Sequence, residues 1–412
     1  MFDVMSLRRE FPALQQKRGA RTPIFLDGPG GTQVPRRVID AVAHYLSTCN
    51  SNHGGVFATS RESDAILHRA HEAVADFLNA PSPDEIVFGA NMTTLTFQLS
   101  RAFAKTLKAG DEIMVTRLDH DANIRPWMLA AQDAGATVRW IDVHSEDCTL
   151  DLDSLRRQLG PRTRLVAVGV ASNAVGTIND VATIGRRAHD AGALMFVDAV
   201  HFAPHGPIDV QAWNCDFLAF SAYKVFCPHV GILWARRALL ENLPVYKLKP
   251  ASDALPDRWM TGTQNHEGLA GVAAGMDYLE AIGAASTAAA DRRARLHAAM
   301  SAIQVYERDL ARRLLDGLAA RPEFKVWGIT DRARLAERVP TISLTHRHYD
   351  AQTLAEHLAE QQIYAWNGNM YALELSALLG LEQRGGFLRL GFVHYNTADE
   401  VDAVLAALEH LA

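Results

Sequence analysis

The chain has 412 residues, too many for one simple core, so two domains are the expectation. Hydrophobic residues at 48% and charged residues at 21% describe an ordinary soluble globular protein, and a net charge of −6 gives no reason to expect nucleic acid or an anionic membrane as partner. No apolar run is long enough to span a membrane, and the N-terminal MFDVMSLRREFPALQQKRG lacks the apolar stretch of a signal peptide.

In chain order, EIVFGA (85–90) reads as a short strand, followed by a helix over TTLTFQLSRAFAKTL. EIMVTRL (112–118) is a second strand, leading through DHDANIRP to a helix that starts near Trp127. TVRWIDV, RLVAVGV, ALMFVDAV, DFLAFSA and GILWA continue the series, with SLRRQLG and IGRRAHDAG as intervening helices, the latter ending at a glycine that can cap it. Strands of four to seven mostly apolar residues alternating with helices predict a largely parallel seven-stranded sheet buried on both faces. From Glu267 the pattern changes to two long helices, GLAGVAAGMDYLEAIG and RRARLHAAMSAIQVYERDLARRLLDGL. The tail then reads strand TISLTH, helix AQTLAEHLAEQ, strand FLRLGFVHY and helix ADEVDAVLAALEHL, the last opened by a capping box from Thr397 to Glu400. The expected division is a large α/β domain at 20–266 and a smaller α+β domain from 1–19 and 267–412.

Sheets of this kind bind ligands at the carboxyl ends of their strands, so the residues just past each run carry the chemistry. Asp198 ends ALMFVDAV, and Lys224 follows DFLAFSA in SAYK. If those strands are neighbours, a carboxylate and a lysine converge on one crevice, which is what a pyridoxal phosphate site needs. Only seven lysines occur, which sets Lys224 apart. Thr93 and Thr94 open a helix after FGANM, where free amides and hydroxyls suit a phosphate, although a plain helix cap explains them equally well. His120 ends the second strand, where its imidazole could stack on a ring, and Asn173 in SNAVGT could donate to a ring oxygen; the bland alternatives are a structural histidine and a turn-forming asparagine.

No metal is expected. Pro204 separates His201 from His205, and the HRH at 346–348 has no carboxylate or cysteine cluster beside it. DGPGGT (27–32) has neither a dinucleotide-binding spacing nor a Walker lysine and reads as a turn. Cys49, Cys148, Cys215 and Cys227 form no C-x-x-C pair and read as reduced thiols of a cytoplasmic protein.

Taken in order, FLDGPGG, TT, DHDANIRPW, SNAVGT, VDAVH, SAYK, TGTQN and LRLGFVHYN resemble the class V aminotransferase family, and within it the cysteine desulfurase-like proteins. The resemblance runs nearly end to end and implies the fold type I architecture of pyridoxal-phosphate enzymes. It implies that Lys224 forms the internal aldimine and shuttles protons, that Asp198 pairs with the pyridine nitrogen, and that His120 stacks on the ring. Asn173 would bond the ring hydroxyl, and Thr93, Thr94, Ser221 and His201 would hold the phosphate and nearby ring atoms. Thr263 in TGTQN matches the segment that reaches the phosphate from a neighbouring subunit, which implies a homodimer with shared sites. Arg389 aligns with the arginine that grips the α-carboxylate of an amino-acid substrate, a role suited to its bidentate fork. Beside the resemblance, Arg125, Arg258, Trp366, Asn367 and Tyr371 are the residues expected to shape the pocket on the substrate side.

One departure stands out. Cysteine desulfurases carry a catalytic cysteine on a loop before that arginine, but IYAWNGNMYALEL (Ile363 to Leu375) has none, and Tyr371 falls near where the thiol would be. Cys227, in the turn after Lys224, reads as an inert packing residue. The expected activity is amino-acid chemistry through an external aldimine, by β-elimination or C–S cleavage without a persulfide cysteine. Alternatives are a transaminase, an epimerase, or a catalytically silent scaffold of the same fold.

Overall fold

The computed structural model describes residues 2–409 and 411. All seven strands expected in the first half form one sheet, in the order 86–89, 231–235, 217–221, 194–198, 163–169, 112–116 and 137–141. The strand Gly231–Ala235 is antiparallel to both of its neighbours, and every other adjacent pair in the sheet is parallel.

The apolar runs are continuous because both faces of the sheet are covered, and successive side chains enter different cores. Val87, Ile113, Val115, Leu165, Phe196 and Phe217 pack with the helices Met92–Ala104 and Arg125–Ala134. Their alternates Phe88, Met114, Val166, Met195, Val197 and Leu218 pack on the opposite side, with Ala58–Leu78, Val181–Asp190 and His266–Ala284. Just past Val181–Asp190, Gly192 takes a left-handed φ of 79°, as the sequence led us to expect of the glycine that closes this helix.

A second sheet, in the order 324–327, 341–346, 387–391 and 366–368, is antiparallel throughout. Its core is Ile342, Leu344, Leu388 and Leu390 against Leu310 and Leu314 of the long helix Arg292–Ala319 and Val401 and Val404 of the last helix. The capping box forms as expected: the Glu400 amide donates to Thr397 Oγ1 at 3.2 Å, and the Thr397 amide donates to Glu400 Oε2 at 3.1 Å. The sequence reading missed the strand Phe324–Trp327, which is only four residues long and half exposed along its length. It also extended FLRLGFVHY too far. The strand stops at Gly391, where the chain passes so close to Pro29 that a side chain would collide with it.

Helix His266–Ala284 supports the site from behind. Side chains at Gly271 and Gly275 would overlap Pro228 and Cys227 of the turn that follows Lys224, so both glycines let helix and turn touch. Cys227 is 1% exposed and packed into that contact. Gly275→Ala should therefore destabilise the protein by about 1–3 kcal/mol through overpacking. Adding Cys227→Ala to the same chain should return most of that loss, measured as paired shifts in chemical denaturation midpoint.

Candidate active site

Parallel register brings the chemistry together. The strands Leu194–Asp198 and Phe217–Ser221 are hydrogen-bonded neighbours, with Asp198 opposite Ala219, and Asp198 also lies opposite Gly169 of the strand before. Asp198, Lys224 and Asn173 therefore leave three adjacent strand ends, and His120 leaves the next strand along. These residues line one cavity of about 400 Å³ together with Thr93, His201, Ser221, Asn367 and Arg389. Nine of the sequence-predicted site residues thus meet in one place.

Thr94 and Thr263 do not. Both line a separate hollow with Gln98, His229 and Gln264. Thr94 Oγ1 turns back to donate to Asn91 Oδ1 at 2.9 Å, as a helix-start hydroxyl commonly does, and this takes it away from the cavity. Arg125 and Arg258 are not part of the cavity lining either; Arg258 bonds Asp253 and the Leu243 carbonyl.

Lys224 is held by the segment that the sequence showed only as a turn. Its Nζ donates to the Pro29 carbonyl. The Thr32 amide donates to the Tyr223 carbonyl at 3.1 Å, and the Phe226 amide donates to Thr32 Oγ1 at 2.8 Å. Phe226 itself adopts a left-handed φ of 60°, a conformation costly for an aromatic residue and sustained here by these contacts. Within DGPGGT, Gly31 lies against Tyr223 of the lysine turn, where a side chain would be crowded. Asp27, just before them, stands within reach of the charges of Arg389 and Lys224 and keeps a buried Oδ1 without a partner.

The burial of these groups sets their charge states. Burial, then the positive Arg389, pushes Lys224 down to about 7, against the pull of Asp198 and Asp27. Burial raises Asp198 to about 6, although its carboxylate accepts from the Val200 amide at 2.8 Å. Asp119, which the sequence reading passed over, lies beneath it. It is pushed up to about 7 by burial and by the Asp198 charge, while accepting from the Gly169 amide at 3.0 Å and from Asn123 Nδ2 at 2.8 Å. Burial and the two nearby cations bring His120 down to about 4, so its ring is neutral at pH 7. Its Nδ1 accepts from the Ala122 amide at 3.0 Å, which leaves the proton on Nε2. His201 is likewise held neutral, chiefly by burial, with Nε2 2.9 Å from Thr341 Oγ1. Ser221 Oγ accepts from the Met92 amide at 2.9 Å and ties the lysine strand to the start of the helix Met92–Ala104.

The loop between Trp366 and Tyr371 closes one side. Asn173 Nδ2 donates to the Met370 carbonyl at 2.7 Å, and the Asp121 amide donates to the Tyr371 carbonyl at 2.8 Å. One amide hydrogen of Asn173 is thereby committed to the loop, and its Oδ1 is buried without a partner. Arg389 Nη1 donates to the Asn173 carbonyl at 2.9 Å, while its Nε is buried and unpaired. The Tyr371 ring stacks on His120 with centroids 5.2 Å apart and planes 14° from parallel. Among the described residues no cluster of histidine, cysteine or acid side chains could hold a metal, and no helix is long and apolar enough to cross a membrane.

Comparison with known proteins gives the same picture. The family described as "Aminotransferase class-V" matches residues 24–404. The chain is 32% identical to a "Probable cysteine desulfurase" of Streptomyces coelicolor, over 100% of this chain and 97% of that protein. It is 34% identical to "Aminotransferase-like protein FGM3" of Gibberella zeae, over 99% and 98%. Among solved structures, the apo cysteine desulfurase of Thermococcus onnurineus superposes with a TM-score of 0.87 at 26% identity, covering 99% of this chain and 97% of that one. The Escherichia coli cysteine desulfurase CsdA superposes with a TM-score of 0.84 at 29% identity, covering 100% and 98%.

The depressed amine yields a pH prediction. With Lys224 near 7, its neutral, nucleophilic fraction rises about tenfold per pH unit up to that point and then levels off. Reductive trapping of a small aldehyde at Lys224 in cofactor-free protein should follow that curve in peptide mass spectra. Trapping at Lys224 that instead keeps rising to about pH 10, the ordinary lysine range, would refute the depressed value.

Proposed function

The chain belongs to the class-V aminotransferase family, and from that premise we propose that it is a lyase acting on an amino acid, cleaving a β-substituent without a persulfide cysteine. Members of the family are pyridoxal 5′-phosphate enzymes, and the fold is the fold type I of such enzymes.

The residues present fit that cofactor. The cavity offers a lysine near 7, a buried carboxylate beside it and a helix start at Met92, and buried polar atoms of Asn173 and Arg389 lack partners. In this reading Lys224 holds the cofactor and, once released, takes the α-proton as general base, a task suited to an amine near neutrality. Asp198 holds a proton at the ring nitrogen, and neutral His120 lies against the ring. Asn173 meets a ring oxygen, while Thr93, Ser221 and His201 hold the phosphate and its surroundings. Bound there, pyridoxal phosphate supplies an electron sink for the pair left at the α-carbon. Arg389 grips the α-carboxylate and Asn367 lies on the substrate side; both keep the amino acid oriented over Lys224.

One observation carries the choice of reaction: Lys224, Asp198 and Arg389 share a cavity closed by a loop that has no cysteine between Ile363 and Leu375. Cys227 does not replace it, because burial against Gly275 pushes its thiol far above the usual range. The Gibberella relative, named as aminotransferase-like, supports a transaminase as the second reading.

The wider arrangement follows the same reading. Residues 20–266 form the cofactor domain and 1–19 with 267–412 the smaller one. Two copies assemble as a dimer in which Thr263 serves the neighbouring site. The four free cysteines suit the reducing cytoplasm.

Incubating cofactor-loaded protein with single amino acids, without a keto acid, tests the choice. A lyase releases ammonia with pyruvate or sulfide over many turnovers. A transaminase converts the cofactor once to its amine form and stops. Lys224→Ala should lower turnover at least about a thousandfold, whereas Arg389→Lys should mainly raise KM, by about tenfold or more.

A further inference from the structure

The cavity has two unlike halves. Its acidic, basic and imidazole groups, Asp119, His120, Asp198, His201, Lys224 and Arg389, all come from the strand ends and the second sheet. The loop that forms the outer wall contributes Trp366, Asn367, Gly368, Asn369, Met370 and Tyr371, with no charge among them. Trp366 and Tyr371 are 53% and 68% exposed although they line a ligand cavity, so two large aromatic side chains present open surface at its mouth.

Three features show that the aromatic wall is built in. Trp366 is the direct cross-strand partner of Arg389, so the indole and the carboxylate-binding guanidinium project from the same face of the sheet. Gly30 leaves room for the indole, because a Cβ at that position would overlap its Nε1. Met370 and Tyr371 take successive left-handed φ angles of 58° and 57°, rare for such residues. Hydrogen bonds to Asn173 and Asp121 and the stack on His120 hold that conformation. A wall preorganised this way loses little freedom on binding.

We propose that Trp366 and Tyr371 are the specificity-determining side chains of this site, and that its substrate is an α-amino acid carrying a large aryl group, in preference to cysteine or alanine. This rests on the reading that the cavity takes an amino acid. With the α-carboxylate on Arg389, the substrate's side chain lies beside the indole and toward Tyr371. A flat apolar group covers both faces there, whereas a thiol or methyl leaves them wet.

The test is titration of cofactor-loaded protein with L-phenylalanine, S-phenyl-L-cysteine, L-cysteine and L-alanine, read as the change in cofactor absorbance. The two aryl compounds should half-saturate at concentrations at least tenfold below alanine and cysteine. Trp366→Ala, Tyr371→Ala and Gly30→Ala should each shrink that aryl-to-alanine ratio fivefold or more, while Trp366→Phe and Tyr371→Phe, which keep a ring, should retain most of it. Equal or tighter binding of cysteine or alanine overturns the inference and leaves the amino-acid reading standing. So does a ratio unmoved in correctly folded alanine variants, as judged by circular dichroism. If no amino acid perturbs the cofactor, the amino-acid reading falls and this inference falls with it.

Discussion

The structure depends on keeping water away from one amine. A lysine in water holds its proton to about pH 10 and is a poor base or nucleophile at neutrality. At Lys224 burial brings that value to about 7, and the sheet, the DGPGGT segment and helix His266–Ala284 each contribute to the burial. Glycine recurs in these supports because it lets segments of chain approach closely around the lysine turn. Arg389 strengthens the effect through its own charge. In the proposed reading, the residue that binds substrate thus also tunes the base.

The carboxylates balance that positive pair without cancelling it. Asp27, Asp119 and Asp198 all lie above the ordinary range, and in each case burial is the first cause. Asp119 is raised further by the like charge of Asp198. Asp119 directs its oxygens to the Gly169 amide and Asn123, which secures the strand ends. Asp198 spends one hydrogen bond on Val200 and lines the cavity. Both line the cavity, but Asp119 is the more heavily committed to holding the strand ends. A side chain at Gly169 would crowd the Asp119 carboxylate, so glycine there leaves room for it.

What the sequence made legible follows from where signals are local. The seven strands of the large sheet were readable because burial on both faces makes each run apolar throughout. That the strands bearing Asp198 and Lys224 are neighbours, which the sequence left conditional, comes from the sheet order. The strand Phe324–Trp327 was not readable, since four residues including an exposed Lys325 carry no clear period. The role of DGPGGT was hidden for a different reason. Its contacts, Pro29 to Lys224 and Thr32 to Phe226, join residues nearly two hundred positions apart, and nothing in a glycine-rich turn names its distant partner. Thr94 was misplaced because Thr93 and Thr94 look alike in sequence, yet a step of one residue on a helix rotates the side chain by about 100°. Thr93 faces the cavity and Thr94 faces Asn91.

Position and environment together decide which sulfur or hydroxyl chemistry a site can use. Cys227 is only three residues from Lys224, but with no water and no cation to stabilise a thiolate it is the less reactive for its burial. Tyr371 is reached through more than a hundred intervening residues, yet the loop delivers it onto His120 at the cavity mouth. A stacked phenol cannot carry sulfur as a persulfide, and the hydrogen bonds from Asn173 and Asp121 restrain the loop from swinging inward to deliver any group it bears. In the proposed reading, reactivity is then left to Lys224 and recognition to the loop. This division of labour accounts for the aromatic residues on the loop and the ionisable ones at the strand ends.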